Sequence, residues 1–161
     1  GTPNFENICG AGEAVEFIAD IGEKFGEEYE DQAKHLTGRR KSIVLGMLAI
    51  DDYEESLAYH LRSELRKIDR ITLYGPSEGE PRTTTVSFII EGINSHDISK
   101  YLGDHGIYTW DGDFYAVTLV NDVLKLTEQG GLVRIGIAPY NTMEDITRTI
   151  NTIKSLVSDA L

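Results

Sequence analysis

Cysteine, positive charge and long apolar runs are all scarce in this sequence of 161 residues, and each scarcity closes off a class of function. Cys9 is the only cysteine, so neither an internal disulfide nor a thiolate cluster can form, and a reducing, cytoplasmic setting is expected. Lys and Arg number 15 against 27 Asp and Glu, a formal charge of −12, and the only basic run is Arg39-Arg40-Lys41 beside an acidic stretch. A surface that tracks nucleic-acid phosphates needs clustered cations, so no nucleic-acid partner is expected. The longest apolar run, residues 43–50, falls far short of the roughly 20 residues of a membrane-spanning helix. Arg39-Arg40-Lys41 and Asp51-Asp52 close it off, and no membrane partner is expected either.

Local chemical motifs are equally sparse. His35, His60, His96 and His105 share no i, i+4 spacing, which argues against a metal site and for surface or capping roles. Gly10-Ala11-Gly12 lacks the preceding strand and the further glycines of a phosphate loop, and no Gly-x-Ser-x-Gly elbow occurs. The chain opens Gly1-Thr2-Pro3-Asn4 without an initiator Met or a signal-peptide pattern, as expected of a piece of a longer protein.

What is present is the patterning of one folded domain with a real core. Ile8, Ala11, Ala14, Val15, Ile18, Ala19 and Ile21 mark one face of a helix ending near Gly22, and the acidic stretch from Glu23 to Asp31 reads as a solvated continuation or connector. After Thr37-Gly38, apolar positions from Ile43 to Ile68 predict helix to about Lys67, with a break near Asp51-Asp52. Strands are predicted over Ile71–Tyr74, about Thr83 to Glu91, Ile107–Trp110 and Leu132–Ile137. Between them, Asn94 can cap a helix stopping at Gly103 or Gly106, and Ala116–Leu126 reads as helical. Thr142 begins a final amphipathic helix carrying Ile146, Ile150, Ile153, Leu156 and Val157. The expected architecture is α+β: a small, mostly antiparallel sheet with helices packed on one face.

Three segments taken in order carry more than any local motif. Gly1-Thr2-Pro3-Asn4 before the first helix, Arg82-Thr83-Thr84-Thr85-Val86-Ser87-Phe88 in a strand, and Leu132-Val133-Arg134-Ile135-Gly136-Ile137-Ala138-Pro139-Tyr140-Asn141-Thr142 near the end are joined by a segment from Gly106-Ile107 to Tyr115. Together they resemble the C-terminal part of class V aminotransferases, the pyridoxal-phosphate family that includes cysteine desulfurases and selenocysteine lyases. The resemblance runs through nearly the whole chain. It implies the small C-terminal domain of a fold-type I pyridoxal-phosphate enzyme, with residues 1–22 as a helix leading from the large domain and 23–161 as the small α+β domain. It also implies an amino-acid substrate and a homodimer, so that the partners are the chain's own large domain and the second subunit.

In that family the lysine that anchors the cofactor lies in a Ser/His-rich stretch upstream of the matched part. None of Lys24, Lys34, Lys41, Lys67, Lys100, Lys125 or Lys154 has that setting. The resemblance therefore implies no catalytic residue in this chain, and pyridoxal phosphate in the full-length protein instead of on this chain alone. Two sites carry over. Gly1 and Thr2 match the position that hydrogen-bonds the cofactor phosphate across the dimer interface, a task for a hydroxyl and a free backbone N–H. Arg134 matches the strand arginine that grips the substrate α-carboxylate, where a planar fork of donors gives bidentate recognition.

The departures bear on the reaction. Where the desulfurase pattern has an arginine, a Gly-His-His segment and the nucleophilic cysteine, this chain has Trp110, Gly112-Asp113-Phe114 and Tyr115. Tyr115 thus stands at the replaced nucleophile position, and a phenol with a pKa of about 10 forms no persulfide. Cys9, expected ahead of the first helix as a small buried hydrophobe, is no substitute. The function implied is that of the cysteine-lacking, desulfurase-like branch, with a transaminase or a cysteine lyase as alternatives inside the enzyme class. The alternative outside it is a non-enzymatic α+β module that offers its acidic face to a basic partner. Phe5, Trp110, Phe114 and Tyr115 are expected to be exposed where the rest of the protein would cover them.

Overall fold

The computed structural model describes residues 1–159, which divide into two compact units, Gly1–Tyr53 and a second from Glu54 onward. In the first unit, helix α1 (Phe5–Phe25) starts at Asn4, whose side-chain oxygen accepts the backbone N–H of Asn7 at 3.1 Å. That bond satisfies one of the amide donors left open at a helix start. The helix continues past Gly22, the expected stop, because that glycine serves a packing role. A Cβ there would lie 1.9 Å from the Ser42 carbonyl oxygen, and one on Gly46 would lie 2.0 Å from that of Ile18. The two glycines let α1 and the N-terminal half of α3 (Gly38–Leu65) approach backbone to backbone. Between these helices the acidic connector forms a 3₁₀ turn over Glu27–Tyr29 and the short α2 (Glu30–Ala33). The Tyr29 hydroxyl donates to Asp52 at 2.9 Å. Helix α3 is unbroken at Asp51-Asp52, since both side chains lie on its exposed side and the helical spacing continues into Leu57, Leu61 and Leu65.

The second unit is built on a four-stranded antiparallel sheet of β1 (Ile71–Tyr74), β2 (Val86–Ile90), β3 (Trp110–Gly112) and β4 (Leu132–Ile135) in the order β1-β2-β4-β3. Residues of alternate parity along a strand face opposite sides. On one side lie Val86, Phe88 and Ile90 of β2 with Val133 and Ile135 of β4, all buried. The last turns of α3 cover them through Leu57, Leu61 and Leu65, α4 (Ser95–Asp104) through Ile98 and Leu102, and α5 (Met143–Asp159) through Ile146, Ile150, Ile153 and Val157. The fold is thus α+β, with helices packed on this face of a small antiparallel sheet.

The connections follow local chemistry. Asn94 caps α4 by accepting the His96 backbone N–H at 3.0 Å, and α4 stops at Asp104, ahead of the left-handed Gly106. The turn into β4 needs Gly131, whose φ is +82° and where a Cβ would fall 2.3 Å from the Gly112 carbonyl oxygen. Asn141 accepts the Ala138 N–H at 2.9 Å after β4, and Thr142 and Asp145 cap α5 reciprocally, Thr142 N to Asp145 Oδ2 at 2.9 Å and Asp145 N to Thr142 Oγ1 at 3.3 Å.

Three further local expectations are corrected. Strand β3 begins only at Trp110, because Ile107 is turned inward, its N–H bonded to the Leu102 carbonyl at 2.9 Å. The segment expected as an ordinary helix over 116–126 forms a π-helical stretch, Thr118–Val123, with Leu124 N donating to Leu119 O at 2.9 Å. The wider turn and a left-handed Lys125 bring Val120 and Leu126 onto the sheet beside Leu132. Cys9 lies inside α1 and is exposed, not buried ahead of it, because α1 packs only from Ile18 onward and every residue of Phe5–Phe17 is exposed. No helix among the described residues is long and apolar enough to cross a membrane.

Candidate active site

The sheet face opposite the α-helices carries the residues of interest. Antiparallel pairing sets Tyr74 against Ser87, Ser87 against Arg134 and Arg134 against Trp110, so the four form one transverse row across all four strands. Directly paired residues project on the same side, which puts Trp110 and Ser87 on the two flanks of Arg134. Arg134 is the one exposed position of β4 and forms no ion pair among the described residues. An exposed, unpaired guanidinium in an acidic chain is the arrangement a carboxylate ligand would use.

Next to this row the 114–126 segment crosses the sheet. Val120, Leu126 and Leu132 are buried together, and Tyr74, Ile89, Phe114 and Ala116 pack on them half-buried. Phe114 therefore departs from the expectation that it is exposed: its ring is held in this cluster and lies under Arg134, whose Cζ is 4.5 Å from the ring centroid. That distance is within the range of a cation–π contact. Phe114 and Tyr115 both have left-handed backbones, φ +55° and +63°, although neither is glycine. The Asp113 side chain helps hold the turn by accepting the Tyr115 N–H at 3.0 Å, and Ala116 N closes on the Asp113 carbonyl at 2.8 Å. Tyr115 itself points wholly into solvent at the tip of the turn, and Trp110 is 66% exposed.

Beyond Ser87 and Tyr74 the row runs into a cavity of about 200 Å³ lined also by Arg62, Arg66 and Arg82. Glu78 occupies the centre of this arginine group. Its carboxylate accepts from Arg62 Nε at 2.9 Å and Nη2 at 3.1 Å, from Arg66 at 2.6 Å and from Arg82 at 3.1 Å. These bonds, that of Arg62 foremost, hold the Glu78 carboxyl down at about 2. Burial by itself pulls the Arg62 guanidinium down, but its bonds to Glu78 and Glu55 outweigh the desolvation and leave it above its ordinary value. The Arg82 Nε is buried without a partner.

Gly1 and Thr2 belong to the other compact unit and are exposed ahead of the Asn4 cap. The structure thus brings Arg134 together with Trp110, Phe114 and Ser87, places Tyr115 beside them at the turn tip, and leaves Gly1 and Thr2 to be described with α1. The contact of Phe114 with Arg134 goes beyond what the sequence pattern shows. The one available signal is the aromatic pair after Asp113 in an otherwise turn-like stretch. As for a cofactor, Thr2 offers a phosphate its hydroxyl and its own backbone N–H, Pro3 having none. No lysine here is enclosed as an imine-forming lysine must be: Lys24, Lys34 and Lys125 are exposed, and Lys41, Lys67, Lys100 and Lys154 pair with carboxylates. These residues fit a share of a pyridoxal-phosphate site and not the whole of one.

A model of the family described as "Aminotransferase class-V" matches residues 42–149. A curated cysteine desulfurase of Yersinia pestis (strain Pestoides F) is 27% identical over 150 residues, covering 93% of this chain and 29% of the relative. Among solved structures, a cysteine desulfurase from Thermococcus onnurineus NA1 superposes with a TM-score of 0.64 at 26% identity, covering 75% of this chain and 29% of that one. The Escherichia coli cysteine desulfurase CsdA shares the fold, with a TM-score of 0.58 at 21% identity over 74% of this chain and 30% of its own. The chain therefore spans less than a third of the length of these relatives. With the family matched over more than half of its residues, the chain belongs to the class-V aminotransferases.

Proposed function

We propose that this chain serves as the small C-terminal domain of a pyridoxal-phosphate enzyme acting on an amino acid, and that Arg134 supplies the grip on the substrate α-carboxylate. The observation that carries the reading is the placement of Arg134. It is exposed on the sheet face away from the α-helices and free of any acidic partner among the described residues, with an aromatic ring beneath it. Its two outer N–H groups suit a carboxylate held in the plane of the guanidinium. Bound pyridoxal phosphate supplies the electron sink for chemistry at the substrate α-carbon. Thr2 and the Gly1–Thr2 backbone would contribute donors to the cofactor phosphate, the anchoring lysine would come from the large domain, and a second subunit would complete the site.

Tyr115 separates this chain from the persulfide chemistry that the name cysteine desulfurase describes in its relatives. The position is fully exposed, but its phenol cannot carry sulfane sulfur. The reading is therefore an amino-acid transaminase or lyase without an enzyme persulfide on this loop. The test is to load the full-length protein with pyridoxal phosphate, offer a panel of amino acids including cysteine, and assay keto acid, alanine and sulfide together with protein-bound persulfide. Turnover without persulfide at residue 115 is expected. The absence of both a cofactor absorbance band and any turnover would return the chain to the class of non-enzymatic interaction modules.

A further inference from the structure

Resting on the reading of Arg134 as the carboxylate grip, the geometry points to Phe114 as its positioning residue: the ring lies beneath the guanidinium carbon and restrains an otherwise exposed, unpaired side chain. An arginine on an exposed strand position has four rotatable side-chain bonds, and ordering such a side chain at the moment of binding weakens binding by its lost rotamer freedom. Arg134 Cζ lies 4.5 Å from the Phe114 ring centroid, which restrains the guanidinium before any ligand arrives. A ring on one side of the guanidinium carbon attracts its charge without an acceptor atom of its own, whereas a carboxylate binds through the N–H groups, so the ring does not take the carboxylate's place. Flanking positions add nothing that would: Ser87 and Trp110 stand opposite Arg134 in the sheet, and neither is acidic.

The backbone under Phe114 supports the same assignment. Two consecutive non-glycine residues, Phe114 and Tyr115, adopt left-handed conformations that L-residues disfavour. The Asp113 side chain braces the turn through the Tyr115 N–H. Phe114 is anchored from below by the Val120, Leu126 and Leu132 cluster, while Tyr115 has no packing to offset its conformation. The turn thus delivers one ring, from a fixed base, to the underside of one arginine.

A purely structural role for Phe114 is separated from a positioning role by Phe114→Leu, which keeps apolar volume in the cluster but removes the ring, and by Phe114→Tyr, which keeps the ring. The Arg134 Nε–Hε resonance of the full chain, followed by NMR, reports stacking through its ring-current shift, and titration with sodium acetate reports the carboxylate site. In the parent chain that resonance is expected upfield of the other arginines. Phe114→Leu should abolish the offset and weaken acetate binding by about two- to fivefold, and Phe114→Tyr should restore both. An unchanged resonance and unchanged acetate affinity in Phe114→Leu would overturn the positioning role while leaving Arg134 as a carboxylate site. If the ring-current offset responds to Phe114 but acetate never perturbs Arg134, the positioning contact stands and the carboxylate reading falls. Loss of acetate binding in Phe114→Leu without rescue by Phe114→Tyr would show that Phe114 acts through packing alone, and overturns the proposal.

Discussion

On one face of the four-stranded sheet, Val86, Phe88, Ile90, Val133 and Ile135 disappear under α3, α4 and α5; on the other, Tyr74, Ser87, Arg134 and Trp110 form a polar and aromatic row beside a strained turn. The helix-covered face is made of aliphatic contacts and one phenyl ring, all in relaxed elements. The second face has a small cluster of Val120, Leu126 and Leu132, a π-helical stretch, left-handed Phe114 and Tyr115, and an unpaired cation. The main core and the candidate site thus lie on opposite sides of one sheet, a separation expected where a site carries strain that the rest of the fold must offset.

The sharpest way to break this comparison is to truncate one residue on each face. Phe88 is completely buried, and Phe88→Ala should lower unfolding free energy by about 3–5 kcal/mol, while Arg134→Ala on the other side of the same sheet should change it by less than about 0.5 kcal/mol. Urea unfolding of the two variants checks this, and comparable losses would show that the faces are not energetically distinct. Arg62 tests the edge where the two regimes meet. Its side chain is only 2% exposed and ties Glu55 and Glu78, so Arg62→Ala should destabilise by about 2–3 kcal/mol, less than a wholly buried pair because both carboxylates reach solvent.

The acid limb of stability sharpens the same point. The Glu78 carboxyl titrates at about 2 in the folded chain, below the ordinary glutamate value that it has when unfolded. Its contribution is therefore fully present above about pH 4.5 and is lost as pH falls through about 2. Solvent screening holds it to about 1–2 kcal/mol, so Glu78→Gln should be less stable than the parent at pH 6 and approach it near pH 2. A further small effect has the opposite sign. Tyr115 is fully exposed with φ +63°, so Tyr115→Gly should remove strain without losing packing and stabilise the chain by about 0.5–1 kcal/mol in a thermal melt. A loss of stability there would mean that the turn is not strained.

The helix-covered face is legible in the sequence because its signals are periodic. Alternation in Val86–Ile90 and the three- and four-residue spacing of Ile146, Ile150, Ile153 and Val157 say which side of each element is buried. Asn94 and Thr142 mark helix starts by side chains that can only help there. Gly22 shows where that reading stops: a glycine within a helix looks like a terminator, and only the approach of Ser42 and Gly46 shows it to be a crossing point. The same holds for Leu119 to Leu124, where an i, i−5 bond replaces the ordinary helical one for the sake of Val120 and Leu126. Arg134 is legible from its strand segment, whereas the ring beneath it is not. That contact depends on two residues adopting a conformation against their own preference, which no local propensity signals.

The account rests on Arg134 as the point where this domain meets an amino acid, and the Michaelis constant tests it most directly. With the full-length protein carrying pyridoxal phosphate, Arg134→Lys replaces the bidentate fork by a single point charge and should weaken binding by about 1.5–3 kcal/mol, raising KM by roughly ten- to 150-fold with a much smaller change in kcat. An unchanged KM in a folded, cofactor-loaded variant would contradict the assignment of Arg134 to the substrate carboxylate.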